Sequence, residues 1–134
     1  MSKIFNISEA ASLAIHSLAI IAKSDEQITV NKISEMTNFS KTHLAKVLQR
    51  LGKNGYIKSE RGPRGGFVLN KASKEITLLE IYELIEGSLK SVPCNVHSSG
   101  SCPFSFCVFG GMSEKFTNEF HDYLKNKTIY DFTK

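Results

Sequence analysis

The sequence predicts a mainly α-helical chain with one small β-hairpin, and three observations lead there. Apolar residues recur at helical spacing in several separate stretches. Two short strand-like runs flank a tip made of glycine, proline and arginine. A late stretch, residues 93–111, breaks both patterns and holds every cysteine. With 134 residues and 41% apolar composition, the chain is read as one globular domain, 1–134, without a dividing linker. Such a chain can bury a core yet is small enough to gain from a second copy.

The first helix is predicted over Glu9 to Lys23. There Ala10, Ala11, Leu13, Ala14, Ile15, Leu18, Ala19, Ile20 and Ile21 leave only Ser12, His16 and Ser17 as polar breaks. Apolar nearly all round, it is expected to be the central buried helix. It is too short to span a bilayer and carries no signal-peptide cleavage pattern, so a soluble, cytoplasmic protein without membrane contact is expected. His16 is expected to be a satisfied, partly buried histidine, because one histidine alone makes no site.

In residues 28–39 Val30, Ile33 and Met36 share one face of a short helix, and Asn38 tolerates left-handed geometry at a turn. Ser40 then restarts the chain as a predicted N-cap of a third helix running to Lys53. Leu44, Val47, Leu48 and Leu51 fall at i, i+3, i+4 and i+7 of that helix and must be buried. Its opposite face carries Lys41, Thr42, Lys46, Gln49, Arg50 and Lys53 without a carboxylate of its own, which suits a polyanion. Asn54-Gly55 ends it as a glycine cap. Strands are predicted over Tyr56 to Glu60 and Gly66 to Leu69, joined by RGPRGG, Arg61 to Gly66. Helix, turn, helix and an arginine-tipped hairpin in succession form a winged helix-turn-helix pattern, residues 28–70, with Arg61 and Arg64 placed to reach a minor groove.

Charge points the same way. Between Ile28 and Lys74 ten Lys or Arg face only Glu35 and Glu60, so this segment is +8 and the remainder −4 within a chain of net +4. A concentrated basic region on foldable elements is the footprint of a protein that neutralises phosphates. The residues assigned to DNA are Ser40, Lys41, Thr42, His43 and Lys46 on the first turns of the third helix, Gln49 and Arg50 further along, and Arg61 and Arg64 on the wing. Ala45, mid-face, offers a methyl contact to thymine or simply avoids a clash.

After the wing, Thr77 and Glu80 are read as a T-x-x-E capping box. Leu78, Ile81, Tyr82 and Ile85 then repeat at helical spacing until Gly87. The C-terminal residues Met112, Phe116, Phe120, Tyr123, Leu124 and Lys127 mark an amphipathic helix, with Thr128 and Asp131 capping a last short turn. Cys94, Cys102 and Cys107 lie within fourteen consecutive positions, spaced C-x7-C-x4-C, and no cysteine occurs elsewhere. An odd, clustered set disfavours a disulfide framework. It leaves an iron–sulfur cluster, structural zinc or redox-active thiols as the readings.

The run from Ser40 to Leu51, then Gly52-Lys53-Asn54-Gly55, then RGPRGGF, and later the three clustered cysteines together resemble the Rrf-two family of bacterial winged-helix transcription regulators, in its iron–sulfur, IscR- and NsrR-like branch. The resemblance covers nearly the whole chain. It implies a transcription regulator that binds specific double-stranded DNA and catalyses nothing, and a homodimer made by crossing the C-terminal helix, 112–127, over its symmetry mate. It also implies a 2Fe–2S or 4Fe–4S cluster on Cys94, Cys102 and Cys107, sensing redox state, nitric oxide or cluster supply. The cysteine spacing departs from the family's more regular five-residue separations, which leaves the cluster type open. Some members complete the cluster with a histidine at the position of Gly110 here, so that ligand is missing. Others use an acidic residue near the start of the first helix of the other protomer, which here is Glu9. His97, inside the loop, competes for the role, and Glu9 is also explained as a first-turn acid favoured by the helix dipole after Ser8. The alternative functions are a metal-free regulator sensing a metabolite or thiol oxidation, and a small iron–sulfur electron-transfer protein.

Overall fold

Helix α1 (Glu9–Lys23) forms the middle of the fold, and the computed structural model describes residues 7–61, 65–91, 94, 96 and 99–134. Ser8 caps α1 by accepting from the Ala11 N–H, and its hydroxyl donates to the Glu86 carboxylate. Ala11, Leu13, Ala14, Leu18 and Ile21 are buried, as the apolar sequence requires. His16 departs from expectation. It is exposed, with its Nδ1 2.7 Å from the Ser12 carbonyl and its ring edge-on to Phe39. The stripe that buries α1 runs through 14, 18 and 21, and position 16 lies off it.

Helix α2 (Val30–Thr37) starts at Thr29, whose side chain accepts from the Lys32 N–H, and stops at Asn38, which holds the left-handed conformation at φ 65°. Ile33 is buried and Val30 half-buried, but Met36 is exposed, because a helix this short presents little more than one position to the core. The Ser34 hydroxyl donates to the Phe39 carbonyl at 2.7 Å and closes the turn.

Helix α3 (Lys41–Lys53) begins after Ser40, which stands at the N-cap position but makes no side-chain capping bond. Leu44, Val47, Leu48 and Leu51 are buried in the common core, as predicted. Its end is a Schellman closure in which the Tyr56 N–H donates to the Leu51 carbonyl at 3.0 Å and the Gly55 N–H to that of Gly52 at 3.1 Å. Strands β1 (Ile57–Glu60) and β2 (Gly66–Leu69) pair antiparallel with Ile57 opposite Leu69 and Glu60 opposite Gly66. Ile28 extends this hairpin by one residue pair, exchanging hydrogen bonds with Phe67 at 3.2 and 2.8 Å. The wing is thereby fastened to the α1–α2 connection.

A short 3-10 turn (Ser73–Glu75) leads to α4 (Leu78–Glu86). Thr77 caps α4 by accepting from the Glu80 N–H, but the Glu80 carboxylate lies 3.5 Å from the Lys71 ammonium, so the box predicted there forms only in half. The full reciprocal box stands at Thr128 and Asp131, opening the last 3-10 turn (Ile129–Phe132). Helix α5 (Met112–Asn126) buries Leu124 and sets Phe120 edge-on to Tyr82 of α4 at 5.4 Å, while Met112, Phe116 and Tyr123 remain exposed. The chain then turns back: Leu78 N–H donates to the Lys127 carbonyl and Ile129 N–H to that of Ile76, which carries Ile129 fully into the core.

Candidate nucleic-acid interface and cysteine loop

Packing decides which face of α3 is free. With its four apolar residues buried, Ser40, Lys41, Thr42, His43, Ala45, Lys46, Gln49, Arg50 and Lys53 are all exposed on the other side. The helix therefore presents donors and cations outward, with its positive dipole end at Lys41 and Thr42. Arg61 is exposed where β1 ends, and Arg64 lies outside the described residues.

Two contacts alter the reading of this face. Arg50, assigned to DNA from sequence, donates from Nη2 to the Leu84 carbonyl of α4 at 2.7 Å. That bond satisfies one of the orphan carbonyls near the C-terminus of α4 and braces α3 against it. Arg50 thus has a structural use that periodicity does not reveal, since the partner lies thirty-four residues away. The second contact is Glu9, whose Oε1 lies 3.5 Å from His43 Nδ1 with both side chains more than half exposed. α3 has no carboxylate of its own, and α1 brings one to it. No spacing rule could have found this pair, because it depends on how α1 crosses α3.

Cys102 and Cys107 are exposed and Cys94 is half-buried, and no disulfide joins them. Among the described residues no group of three or more His, Cys, Asp or Glu is assembled so as to hold a metal ion, so the structure of one chain does not bring the three sulfurs, or Glu9, together. His97 lies outside the described residues. The chemistry of the donors nevertheless fits a thiolate-ligated centre. The Cys107 thiol is held below its ordinary pKa first by the Gly111 N–H and then by that of Phe109, with desolvation opposing and the Gly110 N–H adding a lesser pull. Gly110 and Gly111 sit at φ 64° and 68°, and the Gly110 N–H also donates to the Cys107 carbonyl at 3.0 Å, closing a tight turn around this cysteine. Gly110 therefore serves this turn. Around the cysteines Phe104, Phe106, Val108 and Phe109 are exposed, Phe106 at 86%, an apolar surface next to the exposed stripe of α5.

Comparison with known proteins identifies what this arrangement is similar to. The model of the Rrf2 family, described as iron-dependent transcriptional regulator, matches residues 7–134. The HTH-type transcriptional regulator NsrR of Bacillus licheniformis is 31% identical over 109 residues, covering 81% of this chain and 76% of that protein. The solved structure of CymR, the global cysteine regulator of B. subtilis, superposes with a TM-score of 0.79 at 20% identity over 97% of each chain. That of T. potens IscR superposes with a TM-score of 0.73 at 24% identity, over 96% of this chain and 85% of that one. These two likenesses establish the fold.

Proposed function

Since the chain belongs to the Rrf2 family of transcriptional regulators, we propose that it acts as a homodimer on double-stranded promoter DNA and that a cysteine-ligated iron–sulfur cluster governs its binding. It is a regulator and not an enzyme. In this reading residues 28–70 form the DNA-reading unit, 93–111 the cluster loop and 112–127 the dimer contact, and the protein works in the cytoplasm, where DNA and reduced thiols coexist. The observation that carries the reading is the presence on one chain of an exposed cationic α3 face and of three free thiols within fourteen consecutive positions, two of them exposed.

On the DNA side, Ser40, Lys41, Thr42, His43 and Lys46 meet base edges and neighbouring phosphates, with Gln49 alongside, while Arg61 and Arg64 follow the wing. Arg50 contributes mainly by holding α3. The exposed Met112, Phe116 and Tyr123 on α5 support a dimer, since a second α5 would bury them. Cys94, Cys102 and Cys107 would hold the cluster, with Glu9 of the other protomer as fourth ligand and His97 as its rival. Bound there, a cluster would supply a centre that redox change or nitric oxide alters. In this reading the fourth ligand comes from the second protomer, so a dimer is required for the set to close.

Absorption and electron paramagnetic spectra of anaerobically purified protein, paired with promoter binding before and after chelation of iron, test this reading. Iron–sulfur bands and a change of affinity on their loss are expected. A colourless protein that binds DNA equally well would refute the cluster. A second reading, a metal-free thiol regulator, is favoured by the Cys107 environment, where backbone N–H groups hold the exposed thiol below its ordinary pKa. It predicts that a mild oxidant, with no iron present, changes DNA affinity and that Cys107→Ser abolishes the change.

A further inference from the structure

Among the carboxylate–base contacts of the described residues, Glu9 with His43, a charged pair when the imidazole is protonated, is the one that places a carboxylate against α3. Its position matters more than its strength. His43 stands on the first turn of α3, beside Lys41 and Thr42 and one turn before Lys46, all exposed. Ser40 gives that turn no side-chain cap, so the N-terminal end of α3 combines unsatisfied N–H groups, a positive dipole end and cationic side chains. A DNA phosphate brings anionic oxygens to such a place, and so does Glu9.

We propose that Glu9 is an internal competitor for DNA: in the chain without a cluster its carboxylate occupies His43 in place of a phosphate, and α3 engages DNA fully only when that carboxylate is drawn away. This rests on the reading that α3 faces DNA. Glu9 is also the proposed fourth ligand across the dimer, and a carboxylate committed to a metal no longer presents its charge to His43. The Glu9 side chain is 64% exposed on the first turn of α1, so a change of rotamer moves its carboxylate away from His43 without unwinding the helix.

The test uses full-length protein stripped of iron and a mixed-sequence duplex, in a double-mutant cycle of wild type, Glu9→Gln, His43→Ala and the double variant. Thermal unfolding checks that each is folded. Glu9→Gln is expected to bind about two- to fivefold more tightly at low salt, the size of an exposed ion pair, and the gain should close as salt screens the charges. In the His43→Ala background the same substitution should give no gain. Equal binding by wild type and Glu9→Gln, or a gain that persists in full without His43, overturns the proposal while leaving the regulator reading intact. Failure of every form, wild type included, to bind the duplex at low salt refutes the regulator reading itself.

Discussion

The junction between the wing and the α1–α2 connection is the most sharply testable part of the fold, and Gly66→Ala perturbs it. Gly66 holds φ +132°, and a Cβ added there would lie 2.8 Å from the Ile28 oxygen, 2.9 Å from its carbonyl carbon and 3.0 Å from its nitrogen. These are backbone atoms fixed by two hydrogen bonds to Phe67, at 3.2 and 2.8 Å, so the clash cannot be relieved by turning a side chain. Separating the strand from Ile28 forfeits those two bonds, about 1 kcal/mol each. The positive φ adds about 1 kcal/mol for a residue with a Cβ. The sum is about 3 kcal/mol, or roughly a 10 °C drop in Tm for a domain of this size. Gly65→Ala is the control. It also has positive φ, +55°, but nothing lies within 4 Å of its added Cβ, so only the backbone cost of about 1 kcal/mol applies. Urea and thermal denaturation of the two variants give the comparison. Because the wing is aimed by this junction, Gly66→Ala should also weaken duplex binding more than Gly65→Ala does at a temperature where both are folded. Equal stability of the two variants would refute the argument that Ile28 fixes the wing.

Other outcomes follow from the same geometry. Arg50→Ala should lower stability by about 1 kcal/mol through loss of its bond to the Leu84 carbonyl, and Gln49→Ala should not. A larger effect on DNA affinity than on denaturation would return Arg50 to the DNA face. Affinity for any duplex should fall with salt at a log–log slope of about −0.9 per phosphate contacted, and Lys46→Ala or Arg61→Ala should each reduce that slope by about one contact; a flat salt dependence would exclude the interface. Asp131, whose carboxyl is held below its ordinary pKa first by the Thr128 N–H and then by Lys134 and Lys127, contributes stability that is present above the unfolded-state pKa and lost as pH falls through the depressed folded value. Thermal unfolding across the acid range should therefore be less pH-dependent in Asp131→Asn than in wild type.

What the sequence determined by itself is whatever a short period encodes. Leu44, Val47, Leu48 and Leu51 recur every three to four residues, so their burial and the exposure of Lys41, Lys46 and Gln49 follow from helix geometry whatever α3 packs against. Asn38 in its left-handed turn, the closure at Asn54 and Gly55, and the hairpin register around Ile57 and Leu69 are equally local. The grouping of Cys94, Cys102 and Cys107 in one loop is legible too. Their function is less so, because what three thiols do together depends on the path of the loop, which no short period encodes. Only the tertiary structure decided that Ile28 joins the wing, that Ile129 returns to the core beside Ile76, that Arg50 is spent on α4 and that Glu9 reaches His43. Each of these pairs joins residues that are distant in the chain and share no repeat. The energy that selects them is the burial of α1's apolar face against its neighbours. Once that packing sets the angle at which α1 crosses α3, the exposed polar ends meet where the crossing places them.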